Sequence, residues 1–356
     1  MKHKIKLSKS IFVTLVKQST TMDGWMEMIQ NTQLVEVELD EPLAEIKEDL
    51  LNVDSALFQY TMANGGKLPH TKDAVVNQLE TTTVYPYTTI LLPEEELSPI
   101  SSTGTLGVAS EELPMNPYKI RKYFKKFIKN EEVIVKSSKG WEALLRNRIS
   151  TINSALMIDP YLFHLDKQVE STTDQTLDAL VENNLKELFD QLLPRTCAVP
   201  FHLLIATKRG VLDAEYHLYY SANYYKTIFE RLVDVISSLR DYPIEIELMV
   251  PNYLNHSRKL ITNYYTITCD KGFKLFDEHR AIASNDFRME PHFLTTDEEY
   301  GDIQFMEVIK IMEEFSGYYK HMKQNLDAFG WKNNERYLYF STQSSPYIPF
   351  NRLVVR

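Results

Sequence analysis

From Trp141 onward the chain alternates short apolar runs with longer stretches whose apolar residues recur every three or four positions. That rhythm constrains the fold more than any other feature. Short unbroken or period-two apolar runs make strands, a 3.6-residue period makes helices, and their regular alternation builds a layered α/β domain. Trp141 to Ile152 has helical spacing and leads into a short strand over Ala155–Ile158, ended by Asp159-Pro160-Tyr161. A helix follows, with Leu177, Leu180, Val181, Leu185, Leu188 and Leu192 on one stripe. Ser171-Thr172-Thr173-Asp174 offer capping oxygens at its start and Pro194 stops it. Phe201–Ala206 reads as a buried strand, Tyr224–Leu239 as a helix and Ile244–Val250 as a strand. In that strand Ile244, Ile246, Leu248 and Val250 face one side, and Glu245 and Glu247 the other. Lys259–Thr268 reads as one further strand and Phe305–Phe315 as a late helix.

The first part of the chain has a different texture. Residues 1–114 hold brief apolar runs between polar, turn-rich pieces such as Asn64-Gly65-Gly66. Val35-Glu36-Val37-Glu38-Leu39 alternates with the period of a half-exposed strand. The reading is a smaller, β-leaning N-terminal domain, with a linker or long loop over residues 93–116. The basic start of the chain and its short apolar stretch end at Lys17 without a small-residue cleavage site, so they read as a first strand and not as a signal peptide. Residues 115–140 form the connection. Tyr118–Lys129 carries six basic and no acidic residues interleaved with Ile120, Tyr123, Phe124, Phe127 and Ile128, a basic amphipathic helix in which Lys122, Lys125 and Lys126 lie largely off the apolar face. Those lysines are candidates for a phosphate or anionic-lipid contact. The plainer alternative is a solvated connecting helix. Residues 141–356 form the C-terminal layered α/β domain.

Bulk properties narrow the function classes. A net charge of −10 argues against a general nucleic-acid coat, so any phosphate binding must come from a local basic patch. The two cysteines, Cys197 and Cys269, lack a CxxC pattern, which fits a reducing, cytoplasmic setting and argues against a disulfide framework or thiolate metal site. No apolar run has the length of a transmembrane helix. No phosphate-binding glycine loop, nucleophile elbow or zinc spacing occurs, so no cofactor or metal is expected.

Three strand-end features hold residues able to carry chemistry. Asp159, just after a strand, sits where α/β folds place ligand groups and could orient a basic partner; it could equally be part of an Asp-Pro turn. His256 and Arg258 are two apart, on one face if extended, and with Lys259 they make a compact oxyanion or phosphate site; otherwise they are a surface loop. Cys269-Asp270-Lys271-Gly272-Phe273 holds a tight turn in which Gly272 supplies positive φ. The run Tyr216–Tyr225 is either a protein-binding surface or a partly buried strand and turn.

The order strand-Asp-Pro-Tyr, helix, strand, helix, strand, H-x-R, strand and glycine turn resembles the phospholipase D-like fold. It is most similar to the catalytically silent modules at the C-terminus of MIT-domain proteins and to their bacterial relatives in phage-defence operons. His256, Arg258, Asn263, Tyr265 and Gly272-Phe273-Lys274-Leu275-Phe276 match the family's order, over about residues 141–320. Active members carry H-x-K-x4-D, usually twice. Here Arg258 stands in the lysine position and Asn263 in the aspartate position, and His321-Met322-Lys323 reads as helix surface. The resemblance implies a non-catalytic interaction or sensor module of a bacterial, anti-phage system. Such a module binds an anionic ligand (nucleic acid or lipid headgroup) or another protein of the same system through Asp159, His256, Arg258, Lys259 and Asn263. Two alternatives stay open: a diverged phosphodiesterase or nuclease with His256 as nucleophile in a homodimer, and a structural subunit of a multi-protein complex.

Overall fold

The computed structural model describes residues 3–17, 35–39, 70–71, 88–92, 106–109, 141, 145, 152–164, 177–178, 180–213, 218–255, 257–277, 279, 289–293, 301–329, 337–343 and 351–354. The protein is mixed α/β and divides into two compact units, one of Met1–Lys129 with Phe293–Met306, the other of Asn130–His292 with Glu307–Arg356.

In the first unit, β1 (His3–Leu7), β2 (Val35–Leu39), β3 (His70–Thr71), β4 (Thr88–Leu92) and β5 (Leu106–Ala109) form a sheet in the order β3-β2-β1-β4-β5. Every pairing in it is parallel. The N-terminal strand is shorter than the apolar pattern indicates. It stops at Leu7, and Ser8 accepts a hydrogen bond from the Ile11 amide at 3.3 Å, starting α1 (Lys9–Lys17). Ile5, Leu7, Val37 and Leu39 are buried, as are Ile11, Phe12 and Leu15 of α1. Glu38 is buried too, because Lys4 (2.8 Å) and Lys6 (3.4 Å) on the neighbouring strand neutralise it.

In the second unit, β6 (Ser154–Ile158) and β7 (Phe201–Ala206) run parallel, and β10 (Ile244–Pro251) runs parallel to β7. The helical stretch between β6 and β7 has a π-helical turn over Val181–Lys186 that continues as α2 (Glu187–Leu192). The short antiparallel ribbon β8 (Val211–Asp213) and β9 (Leu218–Tyr219) precedes α3 (Ala222–Ser237), whose N-cap Ser221 accepts from the Tyr224 amide. Beyond β6 the sheet continues with β11 (Lys259–Thr262), β12 (Tyr265–Cys269) and β13 (Met289–Phe293). After helix α4 (Gly301–Phe329) the strand β14 (Tyr337–Ser341) pairs antiparallel with β10, completing the order β13-β12-β11-β6-β7-β10-β14.

Alternation along β14 assigns the two faces. Phe340 stacks on Phe229 of α3 with centroids 5.7 Å apart, and its neighbour Tyr339 meets Tyr319 of α4 edge-on. Successive side chains point to opposite faces, so α3 covers one face and α4 the other. Glu247 lies on the α4 face and is fully buried. It accepts hydrogen bonds from the Tyr319 and Tyr339 hydroxyls and the Asn351 amide. The side of β10 that carries Glu247 is therefore a second core face.

The expected single strand over Lys259–Thr268 is a hairpin. Lys259 pairs with Thr268 and Ile261 with Thr266, which leaves Asn263 and Tyr264 as its two-residue loop. Thr262 Oγ1 accepts from the amides of Tyr264 (3.3 Å) and Tyr265 (3.2 Å), a hydroxyl turn that substitutes for glycine or proline.

Candidate functional site

The antiparallel register between β6 and β11 decides which candidate residues can meet. Lys259 pairs with Ile158 and Thr262 with Ala155, so one step beyond the ladder Arg258 stands opposite Asp159. β12 lies on the other side, and the Cys269 amide donates to the Arg258 carbonyl at 2.9 Å. The loops carrying Asp159, Arg258 and Gly272 thus converge at the carboxyl end of β6. That is the end of a parallel strand pair where open α/β sheets bind ligands.

Asp159 is almost fully buried. Its Oδ1 accepts from the Tyr161 amide and its Oδ2 from the Phe273 amide, both at 3.0 Å. Burial raises its carboxyl pKa above the ordinary carboxylate value. The Phe273 and Tyr161 amides, then Arg258 and Lys274, pull it back. Gly272 closes the turn at φ 85°, and a Cβ there would collide with the Asp159 carboxylate and lie 3.3 Å from Arg258 Cδ. Cys269 Sγ donates to the Gly272 carbonyl at 2.7 Å, and burial pushes that thiol well above its ordinary pKa. Trp141 stacks on Phe273, centroids 6.1 Å apart, roofing the turn.

Arg258 is held on three sides. Its Nη1 donates to the Asp270 carbonyl, its Nε lies 3.9 Å from Asp159 Oδ1, and its guanidinium sits 5.4 Å from the centre of the Tyr161 ring. Nε is buried without a hydrogen-bond partner among the described residues, while the side chain as a whole keeps 28% exposure. A guanidinium anchored in this way presents its remaining donors outward in a fixed orientation.

Further polar groups border this edge. The β7 end continues into Thr207-Lys208-Arg209, and the Lys208 amide donates to the Pro160 carbonyl at 3.2 Å. His164 Nε2 donates to the Lys208 carbonyl at 3.0 Å; a carbonyl can only accept, so Nε2 carries the hydrogen in the neutral ring. Burial lowers the His164 pKa, the Lys208 carbonyl bond opposes that, and Lys274 and Lys208 lower it further. Lys274 Nζ donates to the His164 carbonyl at 2.9 Å. Three tyrosines of the 216–225 run, Tyr220, Tyr224 and Tyr225, brace this loop cluster. Tyr220 packs against Gly210 and His164, the Tyr224 hydroxyl donates to the Phe163 carbonyl, and the Tyr225 hydroxyl accepts from the Gly210 amide at 2.7 Å.

Two sequence candidates lie elsewhere. Lys259 follows Arg258 and so points to the α4 face, where its buried Nζ pairs with Glu307 at 2.6 Å. Asn263 stands opposite Ser154 at the far end of β6, about 17 Å from Arg258 at the rise of a strand. Its Oδ1 accepts from the Asn153 and Ser154 amides at 3.0 Å and its Nδ2 donates to Asn153 Oδ1 at 2.8 Å, a structural clamp at the beginning of the strand. His256, Lys122, Lys125 and Lys126 lie outside the described residues. Sequence reasoning does not single out His164, Lys208 or Arg209; the one available signal was that His164 shares the short loop opened by Asp159.

Among the described residues no group of three histidines, cysteines or carboxylates is placed to hold a metal ion, and no helix is long and apolar enough to cross a membrane. No protein-family model matches the chain, and no curated protein matches it.

Proposed function

We propose that the second unit is a binding module of phospholipase D-like fold that takes an anionic, phosphate-type group at the carboxyl edge of β6 and β7, without catalysing its transfer. The observation that carries this reading is Arg258. It is braced by the Asp270 carbonyl, the Asp159 carboxylate and the Tyr161 ring, yet partly exposed, and Lys208, Arg209 and Lys274 belong to the same loop cluster. A fixed guanidinium amid lysines suits a phosphate oxygen, and loops at the carboxyl ends of parallel strands are where such groups bind. The H-x-R element supports binding over catalysis, because a guanidinium holds an anion bidentately whereas the family's chemistry uses a lysine in that position. The wider setting, a cytoplasmic adaptor or sensor that works with another protein of an anti-phage system, comes from the resemblance of residues 141–320 and is part of the proposal.

The test is fluorescence anisotropy of the full chain with short labelled single- and double-stranded DNA and RNA across a salt series, comparing wild type with Arg258→Ala and His256→Ala. The expected result is salt-sensitive binding, weakened in Arg258→Ala by about 10- to 150-fold, the loss of a hydrogen bond to a charged group, with probes intact on a gel. Probes shortened by wild type but not by His256→Ala would replace this reading with a nuclease.

A further inference from the structure

Large apolar side chains at the surface are few among the described residues, and two of them flank the loops just described. Tyr253 is 73% exposed in the loop after β10, and Val211 is 43% exposed in the ribbon after β7. The two loops are tied together, since the Arg209 amide donates to the Pro251 carbonyl at 2.8 Å and the Arg209 side chain donates from Nε to the Tyr220 carbonyl at 3.1 Å. The backbone under Tyr253 is fixed as well. The Tyr318 hydroxyl, whose single proton is shared with Glu314 Oε1 at 3.1 Å, lies 3.2 Å from its carbonyl, and Leu254 beside it is buried. The ring therefore projects into solvent from a held backbone, five residues before Arg258 and so within roughly 18 Å of it along the chain.

A bare phosphate has no use for an exposed aromatic face. A ligand that carries a flat π-system at intervals along an anionic backbone uses both features at once. We infer that the ligand of this edge is single-stranded nucleic acid, with Tyr253 as the platform on which a base stacks while Arg258 takes a backbone phosphate. This rests on the anion-site reading above and sharpens it. Stacking is sequence-tolerant because every base has a π-face, and phosphate contacts carry no sequence information, so the site discriminates by strandedness and not by sequence.

The experiment compares three probes on the full chain: a labelled oligothymidylate, inorganic polyphosphate of similar charge and phosphatidylserine vesicles. The variants are Tyr253→Ala, Tyr253→Trp and Arg258→Ala, each checked by circular dichroism and thermal melting; the exposure of Tyr253 makes its substitutions structurally mild. The inference expects Tyr253→Ala to weaken oligothymidylate binding roughly 5- to 150-fold, the range for losing one base–aromatic stack, and to leave polyphosphate binding unchanged. Tyr253→Trp should retain the oligothymidylate affinity, and Arg258→Ala should weaken both anionic polymers. If Tyr253→Ala changes neither polymer, or both equally, the stacking inference is overturned and the anion site stands. If it weakens vesicle binding alone, the aromatic face serves a membrane surface and the inference is overturned in that direction. If wild type binds neither polymer, the anion-site reading itself falls.

Discussion

Gly272 shows how closely the site is built at the scale of one residue. The backbone there takes φ 85°, and a Cβ would enter the space of the Asp159 carboxylate, which cannot yield because both its oxygens accept main-chain hydrogen bonds. Gly272→Ala combines a left-handed backbone cost of about 1–2 kcal/mol with displacement of a buried carboxylate from two amides, each worth about 1–3 kcal/mol when left unsatisfied. The expected loss on chemical denaturation is at least about 3 kcal/mol. Adding Asp159→Ala should cost less than the sum of the single losses, since both act through the same carboxylate. Strict additivity would contradict the contact. The Asp-Lys-Gly turn and a basic partner for Asp159 were legible in the sequence. The separation of Arg258 from Lys259 was not, because adjacent strand residues face opposite layers and only the register says which layer holds the site. Nothing in the residues around His164 marked it, since its bond to Lys208 joins segments 44 positions apart.

At the scale of elements, the β11–β12 hairpin positions everything. Its register sets Arg258 against Asp159 at one end and Asn263 against Ser154 at the other. The sequence reads as one strand because the turn holds no glycine or proline and the Thr262 hydroxyl does their work. Asn263, expected among the ligand-binding residues, instead clamps the start of β6. Asn263→Ala removes the acceptor of two buried amides and should destabilise the second unit by about 2–4 kcal/mol. The measurement is a denaturation curve paired with an affinity titration. Unchanged affinity of the folded fraction is the expected outcome, and weaker binding at full folding would bring Asn263 into the site.

At the scale of the whole molecule, the alternation of strands and helices sufficed for the α/β class, because that period is written in local residues. What covers each sheet face was not legible. Glu247 is an acidic residue in a mostly apolar strand, and it is buried because Tyr319, Tyr339 and Asn351, all at least 72 positions later, close over it. The same layering sets up the sharpest contrast, two neighbouring cations of which Lys259 is paired with Glu307 and only Arg258 lies at the proposed anion site. The decisive measurement is a calorimetric titration of inorganic polyphosphate into wild type, Arg258→Ala and Lys259→Ala at low salt. The account predicts that Arg258→Ala weakens binding by about 10- to 150-fold while Lys259→Ala, which removes a cation committed to Glu307, leaves it within about twofold. Equal losses in the two variants, or a loss in Lys259→Ala alone, would contradict the placement of the site on the Arg258 face.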